Sequence, residues 1–369
     1  MAEPISLVHV DLSEAAVAAA AEVLRSGHLR SGEVTARFEQ AFAEAVGARH
    51  AVACASGSVA LLLAYLALFT PGDEVLVPAF THFSTVAMLH LAGATPVLCD
   101  VDPRSWTIDP VDAARRVTSR TQGLVAVHLY GNPAAVADIY ALADRHGLAV
   151  VWDAAQAHLS RWAQGDVGCL GQATCYSFYA TKTMTTGEGG MVTTPDPQLA
   201  QRLRRLRQHG ENGRYRHLEL GINGRLTDFA AAIGLVELAD LPARVAGRRQ
   251  CAAELDAAAA TVPGLITQAT PPGGVHSYHQ YTLRVEPSRL GRDRDQLAQW
   301  LAGLGIETAG LESEGRFQAE LFVSRPKEDV LAAPLGQMVT VVSGRNRTVG
   351  TRYVRVGRGE RAQIVRAPS

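Results

Sequence analysis

A chain of 369 residues with 47% hydrophobic content is long enough to bury a large core and to form more than one domain. Its formal net charge is -1, from 35 basic and 36 acidic side chains. That balance excludes the global basic field that holds nucleic acid or an anionic membrane. The longest apolar run, 59–69, is too short to span a bilayer.

The start of the chain, Met-Ala-Glu-Pro-Ile-Ser, has no basic stretch followed by an apolar one, so no signal peptide is expected. Apolar spacing predicts helices over 13–26 and 34–46. A short apolar run, 51–54, leads through Ser56-Gly57-Ser58 into a helical stretch over 59–69. Pro71-Gly72-Asp73 signals a turn. Strands follow over 74–78, 95–100, 123–128 and 149–152, with helices over 81–92, 109–116 and 134–146 between them. Two further apolar runs, 173–178 and 190–194, flank a polar turn, and a basic amphipathic helix covers 199–208. A long helical region spans 227–249, and the character then changes near Ala252. A helix over 251–260, a strand over 281–285 and a helix over 294–304 suggest a smaller α+β unit. Strands alternating with helices, and apolar throughout rather than alternating, predict an α/β fold with a parallel sheet covered on both faces. No internal repeat is present. The expected division is a large domain over 14–245 and a small one over 246–369, with 309–369 atypical.

Ligands of such sheets collect at the carboxyl ends of the strands, and Ser56, His82, Asp153 and Lys182 all fall there. Lys182 sits in Ser177-Phe-Tyr-Ala-Thr-Lys-Thr-Met-Thr-Thr-Gly-Glu-Gly-Gly190, with no charge nearby in sequence but Glu188. A buried lysine loses pKa and gains a free amine, whereas a surface lysine in a polar loop does neither. Asp153 ends the run Leu148-Ala-Val-Val-Trp152. A lysine able to form a Schiff base and a carboxylate able to pair with a pyridinium nitrogen are the minimum for pyridoxal phosphate chemistry. The other reading of Asp153 is a cap on the next helix. Ser56-Gly57-Ser58 fits a phosphate at a helix amino terminus, or is simply a helix cap. Gln156 suits a hydrogen bond to a ring oxygen. His82 suits stacking on a ring, or is a hydrogen-bonded histidine at a helix start. In Gly221-Ile-Asn223-Gly-Arg225-Leu-Thr-Asp228, Thr227 or Asp228 is placed to cap the following helix.

Other signatures are missing. No GxGxxG follows a strand, and GxxxxGK[ST], HExxH and GxSxG do not occur. The 12 histidines lack ligand spacing, so no metal is expected. Cys54, Cys99, Cys169, Cys175 and Cys251 form no CxxC pair and read as reduced core or near-core thiols of a cytoplasmic protein. The glycosylation triplet Asn346-Arg-Thr348 would not meet that machinery there.

The pieces fall in one order. The segments 26–32, 55–58, 77–81, 93–97, 100–103, 127–131, 152–158, 177–192 and 223–235 resemble the DegT/DnrJ/EryC1/StrS family of pyridoxal-phosphate-dependent sugar aminotransferases over about 24–308. The resemblance implies the fold-type I (aspartate aminotransferase-like) architecture, a mostly parallel sheet flanked by helices plus a small carboxyl-terminal α+β domain. It implies that Lys182 attaches the cofactor and shuttles a proton, and that Asp153 keeps the pyridine nitrogen protonated. Gln156 would contact the phenolic oxygen, His82 would take the stacking position that is usually aromatic, and Gly57, Ser58 and Ser177 would bind the phosphate. Asn223 would reach the neighbouring subunit's phosphate, so a homodimer with shared sites is implied. The expected reaction moves an amine from L-glutamate or L-glutamine to a nucleotide-linked keto-sugar or a keto-cyclitol, in secondary-metabolite or surface-sugar biosynthesis. Two alternatives stay open: a non-catalytic or regulatory cofactor-binding relative with an altered carboxyl terminus, and a sugar dehydratase on the same scaffold, whose members replace the lysine that is present here. After Thr308 the chain leaves the family's pattern for an Arg-, Gly- and Val-rich stretch in which 338–342 and 353–356 read as strands. A substituted or out-of-frame terminus is the expectation there.

Overall fold

The computed structural model describes residues 5–163, 165–213, 215–310 and 338–341. Helix α1 (Glu14–Ser26) starts where the Ser13 hydroxyl accepts the Ala16 N–H, and α2 (Glu33–Val46) follows it. Both end on glycines in the left-handed region, Gly27 and Gly47, which a Cβ would disfavour. Chain order then alternates: β1 (His50–Cys54), α3 (Gly57–Leu68), β2 (Glu74–Pro78), α4 (Phe83–Leu91), β3 (Thr95–Cys99), α5 (Pro110–Arg115), β4 (Thr121–Val127), α6 (Val136–His146) and β5 (Ala149–Asp153). Two two-residue strands, β6 (Arg161–Trp162) and β7 (Gly165–Asp166), precede β8 (Ala173–Ser177), β9 (Gly190–Thr194) and α7 (Pro197–Arg207).

Seven of these strands make one sheet in the order β1-β9-β8-β5-β4-β2-β3. The pairs β2·β3, β2·β4, β4·β5 and β5·β8 are parallel, and β9 alone runs against its neighbours β1 and β8. The sheet is therefore mostly parallel, as the alternation implied, with one reversed strand that the apolar pattern could not reveal. Side chains alternate between two cores. Leu76, Leu124, Val150 and Trp152 face one, with Phe38 and Phe42 of α2. Val75, Val77, Val125 and Val151 face the other, with Leu63 of α3. Both faces are dry, which is why the strands read as unbroken apolar runs.

Beyond the sheet lies α8 (Asp228–Ala259), a single helix of 32 residues. Two helices, 227–249 and 251–260, were expected here; the structure corrects this. Arg-Arg-Gln-Cys-Ala-Ala at 248–253 contains no residue that stops a helix, and even the internal Pro242 does not end it. Strands β10 (Leu265–Thr267), β12 (Tyr281–Val285), β13 (Thr308–Gly310) and β14 (Met338–Val341) form an antiparallel sheet ordered β10-β12-β14-β13, and β11 (Gly274–Val275) pairs with β6. Helices α9 (Pro287–Leu290) and α10 (Arg294–Gly303) lie between, α10 opened by a reciprocal Asp293–Gln296 capping box. Tyr281, Leu283, Val285, Leu297 and Leu301 form a separate small core. Strand β14 matches the run read at 338–342, whereas 353–356 lies outside the described residues.

All five cysteines are free. Cys169 is a correction: it is exposed rather than in or near the core, because it ends a short turn of helix, 167–169, at the surface. Among the described residues no helix is long and apolar enough to cross a membrane.

Candidate active site

The carboxyl ends of β1, β2, β5 and β8 share one edge of the large sheet. After β1, the Ser56 hydroxyl accepts the Val59 N–H at 3.2 Å and caps α3. Ser56 is thus a cap, and the turn it makes leaves the N–H groups of Gly57 and Ser58 at the positive end of the helix. Gly57 is packed against Ser177 at the end of β8, where an added Cβ would stand 2.6 Å from the serine Cβ. Gly190 opens β9 beneath the same turn, its missing Cβ leaving room for the Ser56 carbonyl. The Ser177 hydroxyl accepts the Tyr179 N–H at 3.3 Å and keeps its own proton to donate. The turn carrying Gly57 and Ser58 is therefore brought against Ser177. Asn223 lies beside them: Gly224 gives its carbonyl to Ala55 N–H at 2.9 Å, and the Asn223 side chain is exposed.

Asp153 ends β5 and is buried. One carboxylate oxygen accepts the Ala155 N–H at 3.0 Å, and the other accepts the Thr85 hydroxyl at 2.8 Å. Thr85 in turn is 2.8 Å from the Thr81 hydroxyl. Burial pushes the Asp153 carboxyl above its ordinary value, against the Ala155 N–H, the Thr85 hydroxyl, and the charges of Lys182 and His82. His82 caps α4, its Nδ1 accepting the Ser84 N–H at 3.2 Å, so the neutral ring carries its proton on Nε2. Loss of water on the ring's inner side lowers its pKa, with Asp153 acting against the shift and Lys182 with it. Gln156 turns its amide oxygen to the Tyr130 N–H at 2.7 Å, which leaves its NH2 group for a ligand.

Lys182 lies on the β8–β9 connection. That loop is closed by Phe178 N–H to Gly189 O at 2.8 Å, Thr186 N–H to Phe178 O at 3.0 Å and Lys182 N–H to Tyr179 O at 2.9 Å. Thr183, Met184, Thr185 and Thr186 are buried, so the polar run is not a solvated loop. Lys182 is itself partly buried, and the water it loses lowers its pKa below the ordinary 10.5, opposed by the charge of Asp153. Its electrostatic counterpart is Asp153 rather than the sequence neighbour Glu188, which is exposed.

This donor set fits pyridoxal phosphate. A buried carboxylate at the sheet edge, destabilised by burial, suits a cationic ring nitrogen. A lysine with a lowered pKa suits an aldehyde, and a capped helix start with a free serine hydroxyl suits a phosphate. Thr85, which hydrogen-bonds Asp153, was missed from sequence although it lies only three positions after His82. His158 was missed also: it is buried, and desolvation with the Lys182 charge pushes its pKa down to about 3. A cleft of about 870 Å³ between α5, α6 and 269–272 contains none of these residues.

The model of the DegT/DnrJ/EryC1/StrS aminotransferase family matches residues 10–335, past both ends of the stretch 24–308 read from the motifs. The spore coat polysaccharide biosynthesis protein SpsC of Bacillus subtilis is 40% identical over 289 residues, 75% of this chain and 74% of its own. The dTDP-3-amino-3,4,6-trideoxy-alpha-D-glucose transaminase of Streptomyces venezuelae is 39% identical over 293 residues, 79% of this chain and 76% of its own. The crystal structure of S. venezuelae DesV, in complex with a ketimine intermediate, superposes with a TM-score of 0.83 at 34% identity, covering 92% of this chain and 93% of that one. With the sheet-edge lysine and acid already in place, these likenesses establish that the chain belongs to the DegT/DnrJ/EryC1/StrS aminotransferase family, whose members are pyridoxal-phosphate-dependent enzymes.

Proposed function

We propose that this protein moves the amino group of L-glutamate or L-glutamine to a nucleotide-linked keto-sugar, or a keto-cyclitol, using pyridoxal phosphate held at the edge formed by β1, β2, β5 and β8. The observation that carries the reading is the pair Asp153 and Lys182: a buried acid raised by burial and a lysine lowered by it, each feeling the other's charge. Relatives named for sugar substrates support the acceptor class, among them a GDP-perosamine synthase at 38% identity.

Pyridoxal phosphate, when bound, supplies the aldehyde that accepts the donor's nitrogen and the ring that absorbs the electron pair. The chain's own groups do the rest. Ser58, Ser177 and the N–H of Gly57 bind phosphate. Asp153, fixed by Thr85 and Ala155, holds a proton on the ring nitrogen. Gln156 donates to the phenolic oxygen, and His82 covers the ring face. Lys182 Nζ, partly neutral through burial, takes the proton from the donor's α carbon. We place the division into a large and a small domain at 245/246, and the protein in the cytoplasm, where its five free cysteines stay reduced. A homodimer completes the site, with Asn223 serving the partner's phosphate.

The test has two parts. Incubated with pyridoxal phosphate and borohydride, the protein is expected to carry a reduced adduct on Lys182, and Lys182→Ala is expected to carry none and to lose activity by about 100-fold to 10,000-fold. The amine-loaded form, made with glutamate or glutamine, is then screened against keto-sugar nucleotides. No adduct on Lys182 would refute the site, and no response to either donor would refute the reaction.

A further inference from the structure

We propose that Glu237, on α8, is the positioning residue that holds Lys182 in its reactive place, acting through the backbone of Thr185. The inference rests on the assignment of Lys182 above. Glu237 is fully buried. Both its oxygens meet Arg244, two helical turns along α8, at 2.6 Å each. Oε2 also accepts the Thr185 N–H at 3.2 Å. Arg244 continues outward to Asp240 at 3.5 Å.

A buried ion pair is a poor way to gain stability, since apolar groups of the same size often do as well or better. Its better use is to impose one arrangement, and here the arrangement imposed is that of the lysine loop. Thr185 is held at three points. Besides the bond to Glu237, its hydroxyl donates to Phe178 O at 3.0 Å and accepts the Gly187 N–H at 2.9 Å. The bonds that close the turn at Phe178, Tyr179 and Gly189 tie the loop to itself and to its own strands. The bond to Glu237 ties it instead to a different element, one that α1 and α2 both pack against. With its base closed and Thr185 bonded to α8, the turn is anchored on both sides of Lys182. Reactivity toward an aldehyde falls steeply when the amine is displaced by as little as an ångström.

The test measures attachment of pyridoxal phosphate to Lys182 in protein freed of cofactor, by borohydride trapping and peptide mass, across pH. Glu237→Gln keeps an acceptor for Thr185 and is expected to attach within about threefold of the unmodified rate, the size of a modest hydrogen-bond change. The double variant Glu237→Leu with Arg244→Leu removes both charges together. It is expected to keep its helical circular dichroism and attach about 10-fold to 100-fold more slowly, with the midpoint of its pH–rate curve moved. A double variant with unmodified rate and midpoint overturns the proposal while leaving the site reading intact. If the unmodified protein attaches nothing at Lys182, the site reading falls and this inference falls with it. Hydrogen exchange in the unmodified protein is independent of how the variants fold. The Thr185 amide is expected to be protected like those of β8, and exchange as fast as an exposed loop would also overturn the proposal.

Discussion

Asp153 is an acid placed where an acid is unwelcome. Burial raises its pKa in the folded chain above the ordinary 3.8. The sign follows from linkage: a carboxyl whose folded pKa is raised binds protons more readily in the fold, so it costs stability as pH rises from 3.8 through the folded value, and the cost persists above it. Asp153→Asn is therefore expected to raise the melting temperature of the cofactor-free protein at neutral pH. The same change is expected to lower transamination by about 100-fold to 1,000-fold, as loss of a preorganised charge does. Calorimetry and steady-state kinetics on one preparation check both; a variant less stable than the parent at neutral pH contradicts the argument. Lys182 has the opposite sign. Its lowered pKa keeps more neutral amine at a given pH, so cofactor attachment is expected to rise with pH and level off below 10.5. A curve still climbing at 10.5 would show an unburied amine. Strand order made legible that Asp153 ends a strand and that Ser56-Gly57-Ser58 and Lys182 follow strands, while the roles assigned to Gly57, Ser58 and Ser177 at a phosphate came from the family resemblance. Thr85, His158 and Glu237 were not legible. The partners of Thr85 and Glu237 are 68 and 52 residues away, and only the folded topology sets such meetings.

Elements were legible where their hydrophobic period was long and bounded. Strand β2 was read to the residue, and α1, α2, α6 and α7 to within two at each end. What failed was short or hidden. Strands β6, β7 and β11 have two residues each, too few for a period, and β9 is reversed by its pairing, which its composition does not record. The segment before α8 gave the most instructive result. Thr227 stands at the helix start but its side chain caps nothing, while Asp228 reaches back to α2, accepting Gly32 N–H at 2.8 Å and Thr35 N–H at 3.0 Å. The acid that looked like a local cap serves a helix almost two hundred positions earlier. The phosphate turn makes a sharper prediction. In Gly57→Ala the new methyl, at the start of α3, meets Ser177 Cβ at 2.6 Å and Ser177 Cα at 3.3 Å, so backbone as well as side chain must shift. Overpacking of this kind costs about 1–3 kcal/mol. Affinity for pyridoxal phosphate is expected to fall more than stability does, since the displaced N–H groups are those proposed to meet the phosphate. Titration of the cofactor into the variant checks this, and unmodified affinity would remove Gly57 from the site.

For the whole molecule, the arm between Gln208 and Asn223 carries Tyr215, Leu218 and Leu220, exposed by 79%, 52% and 95%. Apolar groups so open, beside the proposed phosphate site, suit a second copy of the chain. Leu220→Glu is expected to weaken self-association by about 2 kcal/mol, roughly 30-fold in the dissociation constant, and activity should fall with it. Sedimentation measures the first; a monomeric parent protein would rule out the dimer. Mixing Lys182→Ala with Asn223→Ala protein tests sharing directly, because hybrids of a symmetric dimer regain one intact site in two, roughly a quarter of the activity. No recovery would assign Asn223 to its own subunit. Helix α8 has a mechanical consequence. At 1.5 Å per residue its 32 residues make a rod about 48 Å long. Within it, Glu237 grips the lysine loop, and about 16 Å further along Arg248 and Arg249 grip the carbonyls of 276–279. One unbroken helix carries both grips, so accommodation of a bulky sugar is expected to fall to loops and side chains rather than to a swing of one half of the molecule.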